Sequence, residues 1–313
     1  MRILVTICTR ARPKMLEACL RSVTAQQVPE GVTCDIAVIE NDSALHCTPI
    51  VRKVAEETGR VIHAVLETEL GLPFARNRCG TFAVEQGYDW ALYIDDDEVA
   101  TPGWLATLVA AARQDPADVY YARVVSVFPE GTPEWMALPE VNKRPTGTVL
   151  SKAEGHNTMV HRRVFAEDGL NLRFDTALRF TGGSDTDFFS RVHKAGGRII
   201  WVGEAVVEET IPASRMNLRW QLNRTFRVAI NISVLHEKQR GKAASSWRSL
   251  AKGTGRVLGG MLQLPVGVAL SLVAPLKGRM FAFKAAKQVA SGLGSFAYLL
   301  GIRPEPYRKV DGG

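Results

Sequence analysis

Trp90-Ala91-Leu92-Tyr93-Ile94-Asp95-Asp96-Asp97-Glu98 decides how the rest of this 313-residue chain is read. Five apolar residues run straight into four consecutive carboxylates. The apolar run has the length of a buried strand. Adjacent carboxylates repel one another and are not buried without partners, so they belong at the exposed end of that strand. There they make an oxygen-only site suited to Mg2+ or Mn2+. A solvated acidic turn would carry the same residues, but its position directly after a buried strand favours the metal.

The same alternation extends on both sides. Arg2–Thr6 is a β-branched run, and Pro13–Gln26 has helical spacing through Leu16, Leu20 and Val23, with Pro13 suited to a first turn. Asp35–Glu40 and Val61–Leu66 predict strands; Pro49–Thr58 and Pro73–Gln86 predict helices. Strands alternating with helices of this length imply an α/β fold with a mostly parallel sheet. Ligands in such sheets bind beyond the carboxyl ends of the strands. Downstream, Asp118–Phe128 and Asn157–His161 predict strands, with a Pro/Gly-rich loop at Pro129–Gly147 carrying Trp135. A helix over Asp185–Ala195 follows Gly182-Gly183, then a strand at Arg198–Val202 and a long helix over Ser214–Lys238.

Four further clusters carry candidate chemistry. Thr6-Ile7-Cys8-Thr9-Arg10-Ala11-Arg12-Pro13 brings hydroxyls and arginines to a helix start, where a base, ribose or diphosphate can be met; a charged loop is the plainer alternative. In Glu40-Asn41-Asp42-Ser43 a strand-end acid can face a nucleobase or close an Asx turn. Arg76, inside an otherwise apolar helix, either binds phosphate or pairs with a carboxylate. Ser184 fits a helix N-cap with Asp187 as its capping-box partner, which leaves Asp185 over. A helix N-terminus lowers a carboxylate pKa, and a nearby diphosphate raises it again toward that of a useful general base.

In order and spacing, TICTRARPKMLEACLRSV, VIENDS, GLPFARNRCG, LYIDDDE and GGSDTDFFSRVHKAGGRI resemble the family-2 glycosyltransferases, over about residues 1–230. The resemblance implies the GT-A fold, a Rossmann-like mixed sheet flanked by helices. It implies a nucleotide-sugar site at Thr6, Thr9, Arg10, Glu40, Asp42, Arg76, Asp95 and Asp96, with Asp42 facing uracil and hence a UDP-sugar donor. Asp95 and Asp97 match the metal-binding DXD motif, and Asp185 matches the catalytic base, with Ser184 where the family has glutamate. Met216-Asn217-Leu218-Arg219-Trp220 keeps the Arg-Trp of the processive members' Gln-x-x-Arg-Trp motif but not its glutamine. The chain is therefore more similar to non-processive exopolysaccharide enzymes of the succinoglycan type. Candidate acceptor residues are Trp135, His156, Asp187 and Trp220, with Gly155–Arg162 shaping that side.

Composition bounds the alternatives. A hydrophobic content of 46% excludes a disordered chain. Five cysteines, Cys8, Cys19, Cys34, Cys47 and Cys79, form no CxxC pair, which argues against a zinc or disulfide framework and for reduced thiols in a cytoplasm. Ile3–Cys8 is too short for a signal peptide. The net charge of +7 is uneven: from residue 240 onward there are 12 Lys/Arg and 2 Asp/Glu, so the body is mildly acidic and the tail strongly basic. A basic tail seeks a polyanionic surface, and its apolar character selects lipid over nucleic acid. Val257–Leu276 is long enough to span a bilayer but holds Gly259, Gly260, Pro265, Gly267 and Pro275, with basic residues on both flanks. An in-plane or re-entrant helical hairpin, contacting the membrane through residues 245–300, accommodates both.

The expected organisation is a catalytic domain over 1–238, with a nucleotide-sugar half at 1–100 and an acceptor half at 101–238, followed by a membrane-associating helical tail at 239–313. The expected activity is an inverting hexosyltransferase on the cytoplasmic face of the inner membrane, acting on a glycan or lipid-linked acceptor. A sugar-phosphate nucleotidyltransferase shares the architecture but would carry a Gly-rich, Lys-containing loop where this chain has Thr9-Arg10-Ala11-Arg12. A non-catalytic membrane-bound scaffold would have no need for the acids at 95–97 and 185.

Overall fold

A computed structural model describes residues 1–137 and 144–305. Residues 138–143 of the predicted loop and the last eight of the tail lie outside the described residues. The described chain divides into two compact units, residues 1–126 with 144–210, and residues 127–137 with 211–305.

The first unit is built on a mixed sheet whose order is β3-β2-β1-β4-β8-β6-β9-β5, with β7 beside β9. Strands β1 (Arg2–Thr9), β2 (Thr33–Glu40), β3 (Ile62–Leu66) and β4 (Trp90–Asp95) are parallel. Beyond β4 the pairings of β5 (Glu98–Ala100), β6 (Val119–Val127), β7 (Val149–Leu150), β8 (Thr158–His161) and β9 (Ile199–Thr210) are antiparallel where register is defined. Period-two alternation sorts the strands' side chains onto two faces. Ile3, Val5, Ile7, Ile36, Val38, Leu92 and Ile94 join α1 (Pro13–Thr24), α2 (Thr48–Thr58) and α4 (Trp104–Gln114) in one core layer. Leu4, Ala37, Ile39, Ala91 and Tyr93 join α3 (Leu72–Glu85) and α5 (Ser184–Lys194) in the other. The chain crosses one face after β1 and β2 and the other face after β3. The strand order therefore reverses between β1 and β4, the place where ligands bind in open sheets of this kind.

Three details differ from the sequence reading. β1 runs on to Thr9, because Cys8 pairs with Asp95 and Thr9 with Glu40. The helix α4 and the short strand β5 were not anticipated; α4 buries Trp104, whose Nε1 donates to Asn157 Oδ1 at 2.7 Å. The helix at 184 is capped by Gly183 in a left-handed conformation (φ 86°), with no side-chain cap, so Ser184 is its first residue and not its N-cap.

The second unit holds α6 (Leu218–Arg240), α7 (Lys242–Val273) and α8 (Pro275–Leu299). α6 groups with the tail helices: Ser245 Oγ donates to Ser233 O at 2.7 Å, and Ser249 Oγ to Ser233 Oγ at 2.9 Å. The glycines expected to interrupt 257–276 instead lie inside one continuous helix, and the reversal comes at Ala274-Pro275. Gly253, Gly260 and Gly267, seven residues apart, let α8 approach closely; a Cβ on Gly260 or Gly267 would meet the α8 backbone at 2.8 and 2.6 Å. The outer surface of α7 is apolar and open, with Leu272 85% and Val273 87% exposed. By length and composition α7 is the one described helix able to cross a membrane.

Gly267→Val should separate the hairpin helices and cost about 1–3 kcal/mol, the range for overpacking a filled contact. Thermal melting of the full chain measures this; an unchanged melting temperature would show that the glycine contact is dispensable.

Candidate active site

The carboxyl ends of β1, β2 and β4 gather most of the singled-out polar residues. The four acids of the opening motif separate by direction. Asp96 and Glu98 turn inward and are 4% and 1% exposed. Asp95 and Asp97 keep more of their side chains open.

Each inward acid has its own partners. Asp96 Oδ2 accepts from Thr9 Oγ1 at 2.7 Å, and Asp96 Oδ1 accepts from Arg12 Nη1 at 3.1 Å. Burial raises Asp96 to about 6, against the pull of Arg12 and Thr9. Glu98 Oε2 accepts the Asp95 backbone N–H at 2.9 Å, and Oε1 is hydrogen-bonded with His156 Nδ1 at 2.7 Å. Burial lifts Glu98 to about 7, with His156 opposing. Burial disfavours the charged His156, but Glu98 and Glu154 outweigh it and hold the imidazole well above its ordinary value. Arg12 Nη1 also lies 3.4 Å from Asp97 Oδ2, so one guanidinium spans two of the acids.

Arg76 joins this turn to α5. It is 2% exposed, and its guanidinium contacts Asp185 through Nη1 and Asp95 through Nη2, the latter at 3.4 Å. Of the two roles open to Arg76 in the sequence, the carboxylate partner is the one present. Burial disfavours the Arg76 charge, but Asp185 and Asp95 more than restore it. Burial pushes the Asp185 carboxyl up; the Arg76 charge and hydrogen bond outweigh this and hold it below the usual carboxylate value. Arg76 Nε is buried with no hydrogen-bond partner.

The other singled-out residues fall as follows. Because β1 continues to Thr9, Thr6 lies within the sheet, 1% exposed, with Oγ1 donating to Leu92 O at 3.4 Å. Glu40 is also buried and accepts from Cys47 N at 2.8 Å, shaping the loop after β2 rather than lining an opening. Asp42 Oδ1 accepts from Ser43 N at 2.7 Å, and its Oδ2 lies 3.9 Å from Arg10 Nε. Asn41 ties that loop to the start of α3, accepting Gly71 N at 2.8 Å and donating to the Glu67 and Glu69 carbonyls. Asp187 is buried and pairs with Arg191 at 2.8 Å, one turn along its own helix. Trp135 and Trp220 belong to the second unit, where Trp135 packs edge-on against Phe283 and Trp220 lies between the Arg215 and Arg224 guanidinia. Sequence reading missed Glu154 altogether and did not assign Arg12 individually. Nothing local marks either; their roles depend on which carboxylates turn inward.

Among the described residues no three His, Cys, Asp or Glu side chains converge as a ready metal cage. Two partly open carboxylates at a strand end nonetheless suit a hard cation that completes its shell with phosphate oxygens and water. The donor set fits Mg2+ or Mn2+ bound together with a diphosphate, and does not fit a resident structural metal.

The sequence profile of glycosyl transferase family 2 matches residues 4–169. Succinoglycan biosynthesis protein ExoM of Rhizobium meliloti (strain 1021) is 32% identical over 226 residues, 71% of each chain. Among solved structures, mannosyltransferase PcManGT from Pyrobaculum calidifontis, in complex with GDP-Man and Mn2+, superposes with a TM-score of 0.58 at 18% identity, covering 96% of this chain and 87% of that one. S. aureus TarS 1–349 superposes with a TM-score of 0.56 at 15% identity, covering 96% and 92%. At these identities the superpositions speak for the fold.

Asp185→Asn should leave Arg76 short of a partner and lower stability at pH 7 by about 1–3 kcal/mol. Because the folded pKa of Asp185 is depressed, its contribution is present above the ordinary carboxylate pKa and is lost as pH falls through the depressed value. The gap in melting temperature between wild type and variant should therefore narrow toward acid pH; a gap that is constant from pH 7 to pH 3 would contradict the pairing.

Proposed function

Because the chain belongs to glycosyl transferase family 2, a glycosyltransferase on the GT-A fold, we propose that it moves a sugar, with inversion, from a nucleotide-sugar to a glycan or lipid-linked acceptor in exopolysaccharide synthesis. The observation that carries this reading is Arg76. One buried cation holds the candidate base, Asp185, beside the acidic turn that would meet the donor diphosphate.

In this mechanism Asp95 and Asp97 would hold a divalent cation, which supplies charge neutralisation to the departing diphosphate. Thr9 and Arg12 keep Asp96 turned in and so shape the floor of the nucleotide site. Arg10 and Asp42 lie at its edge, with Asp42 as the acceptor for a uracil imide. Asp185 takes the proton of the acceptor hydroxyl as that oxygen bonds to the anomeric carbon, and the bond from this carbon to the diphosphate oxygen breaks. Arg76 keeps Asp185 ionised for that step. A diphosphate arriving near Arg76 shares its charge, which relaxes the depression of the Asp185 pKa and strengthens the base.

A donor carrying UDP rests on Asp42. The similar folds do not choose the base, since the solved relatives include complexes with UDP-GlcNAc and with GDP-Man. The role in exopolysaccharide synthesis draws on the similarity to the Rhizobium protein. A place on the cytoplasmic face of the inner membrane, peripheral or re-entrant, is supported by the second unit. Residues 238–304 carry 11 Lys/Arg and no Asp or Glu, alongside the open apolar face of α7. Such a helix pair suits the interface of an anionic bilayer.

Three outcomes follow. Asp185→Asn should lower turnover by about 10²–10⁴-fold, the usual share of a general base, while leaving donor binding near normal; near-normal turnover would remove Asp185 from the role. Asp97→Asn should abolish the gain in nucleotide affinity produced by Mn2+, read by calorimetry with and without chelator. Co-sedimentation with vesicles of mixed neutral and anionic lipid should be strong at low salt, weaken as salt rises, and be lost in a Leu272→Gln, Val273→Gln double variant. Equal recovery with and without vesicles would end the membrane assignment.

A further inference from the structure

His156 has no part in the proton transfer proposed above, yet it is the most heavily engaged imidazole at the site. It lies in Glu154-Gly155-His156-Asn157, the segment that leads into β8. Its Nδ1 is 2.7 Å from Glu98 Oε1, and its Nε2 is 3.0 Å from Glu154 Oε2. The other oxygen of Glu98 accepts the Asp95 backbone N–H at 2.9 Å. A continuous line of hydrogen bonds therefore runs from Glu154 through His156 and Glu98 to the first residue of the acidic turn. Both ring nitrogens are taken, so the ring has none left for the acceptor hydroxyl that the sequence suggested.

The residues around His156 are fixed just as firmly. Asn157, in a left-handed conformation (φ 43°), donates from Nδ2 to the Arg123 and Ala205 carbonyls at 2.7 and 3.0 Å and accepts from Trp104 Nε1. Gly155 lies flat against Arg76: a Cβ there would sit 2.4 Å from the guanidinium carbon. One four-residue segment thus bears on both halves of the site, on the acidic turn through His156 and on the Arg76–Asp185 pair through Gly155.

The physical need is plain. Four successive acids can leave a strand with any of their side chains outward. In this turn Glu98 points inward, and a carboxylate buried to 1% exposure needs a cation or donors to stay there. His156 Nδ1 lies 2.7 Å from Glu98 Oε1, and the Asp95 N–H donates to the other oxygen.

We propose that His156 is a positioning residue: by bridging Glu98 and Glu154 it sets the turn that presents Asp95 and Asp97 to the cation and diphosphate of the donor. This rests on the assignment of Asp95 and Asp97 as the cation's holders. Support from outside the first ring of ligands typically governs metal affinity by about 10–100-fold.

The test is calorimetric titration of wild type, His156→Ala, His156→Gln and Asp97→Asn with whichever of UDP and GDP the wild type binds, in Mn2+ and in EDTA, together with ligand-free melting temperatures. His156→Ala should weaken the Mn2+-dependent binding about tenfold or more and leave the binding in EDTA unchanged. His156→Gln, which keeps one donor to Glu98, should recover part of the loss; it also carries the test if the alanine variant fails to fold. A general structural role would lower melting temperature and weaken both conditions alike, and that result overturns the proposal. So does an unchanged Mn2+ increment in His156→Gln and His156→Ala while Asp97→Asn abolishes it. If Asp97→Asn itself leaves the increment intact, the cation site is misplaced and both readings fall together.

Discussion

A single buried guanidinium organises the first unit. Arg76 is 2% exposed and lies against Asp95, at the end of β4, and Asp185, in the first turn of α5. An arginine stripped of water is tolerated only where carboxylates compensate it, and carboxylates crowded together are tolerated only where a cation compensates them. Each side of this arrangement makes the other possible. The packing beneath it is correspondingly dense: Tyr93 donates to the Arg76 carbonyl at 3.1 Å, and Phe174 and Phe188 stack with centroids 3.9 Å apart. A helix made from residues near 185 is thereby locked to a strand made from residues near 95.

The same rule of compensation sorts the acidic turn. Asp96 goes inward because Thr9 and Arg12 wait for it, and Glu98 because His156 and the Asp95 N–H do. Asp95 and Asp97 are left nearer the opening. The alternation of inward and outward acids is therefore set by partners drawn from β1, the loop before α1 and the segment before β8. The proposed transfer assigns none of its steps to Asp96 or Glu98, yet the inward contacts of these two shape the turn that carries Asp95 and Asp97.

The second unit obeys a different constraint. Its helices α7 and α8 pack through glycine, with Gly253, Gly260 and Gly267 admitting the facing helix at near-backbone distance. Close backbone approach removes most of the side chains a soluble hairpin would use for its core, and the large apolar residues of α7 point outward instead. These glycines are the reason the hairpin is tight.

Much of this was legible in the order of residues. The period of the apolar positions marked β1 to β4 and the helices between them, and the acids after Trp90–Ile94 marked the carboxyl end of β4, because both signals are local. The motif order pointed to family 2, and Asp95 and Asp185 do meet through Arg76. What stayed hidden was everything decided by a distant partner. No local pattern announces that the sheet buries Thr6 or that Arg191 pairs with Asp187. Nothing near His156 in the chain announces Glu98, 58 residues away. The chain alone determined which chemical groups are present and which surface elements they sit on; only folding decided which of them face inward, because burial makes each charge choose a partner that no local pattern encodes.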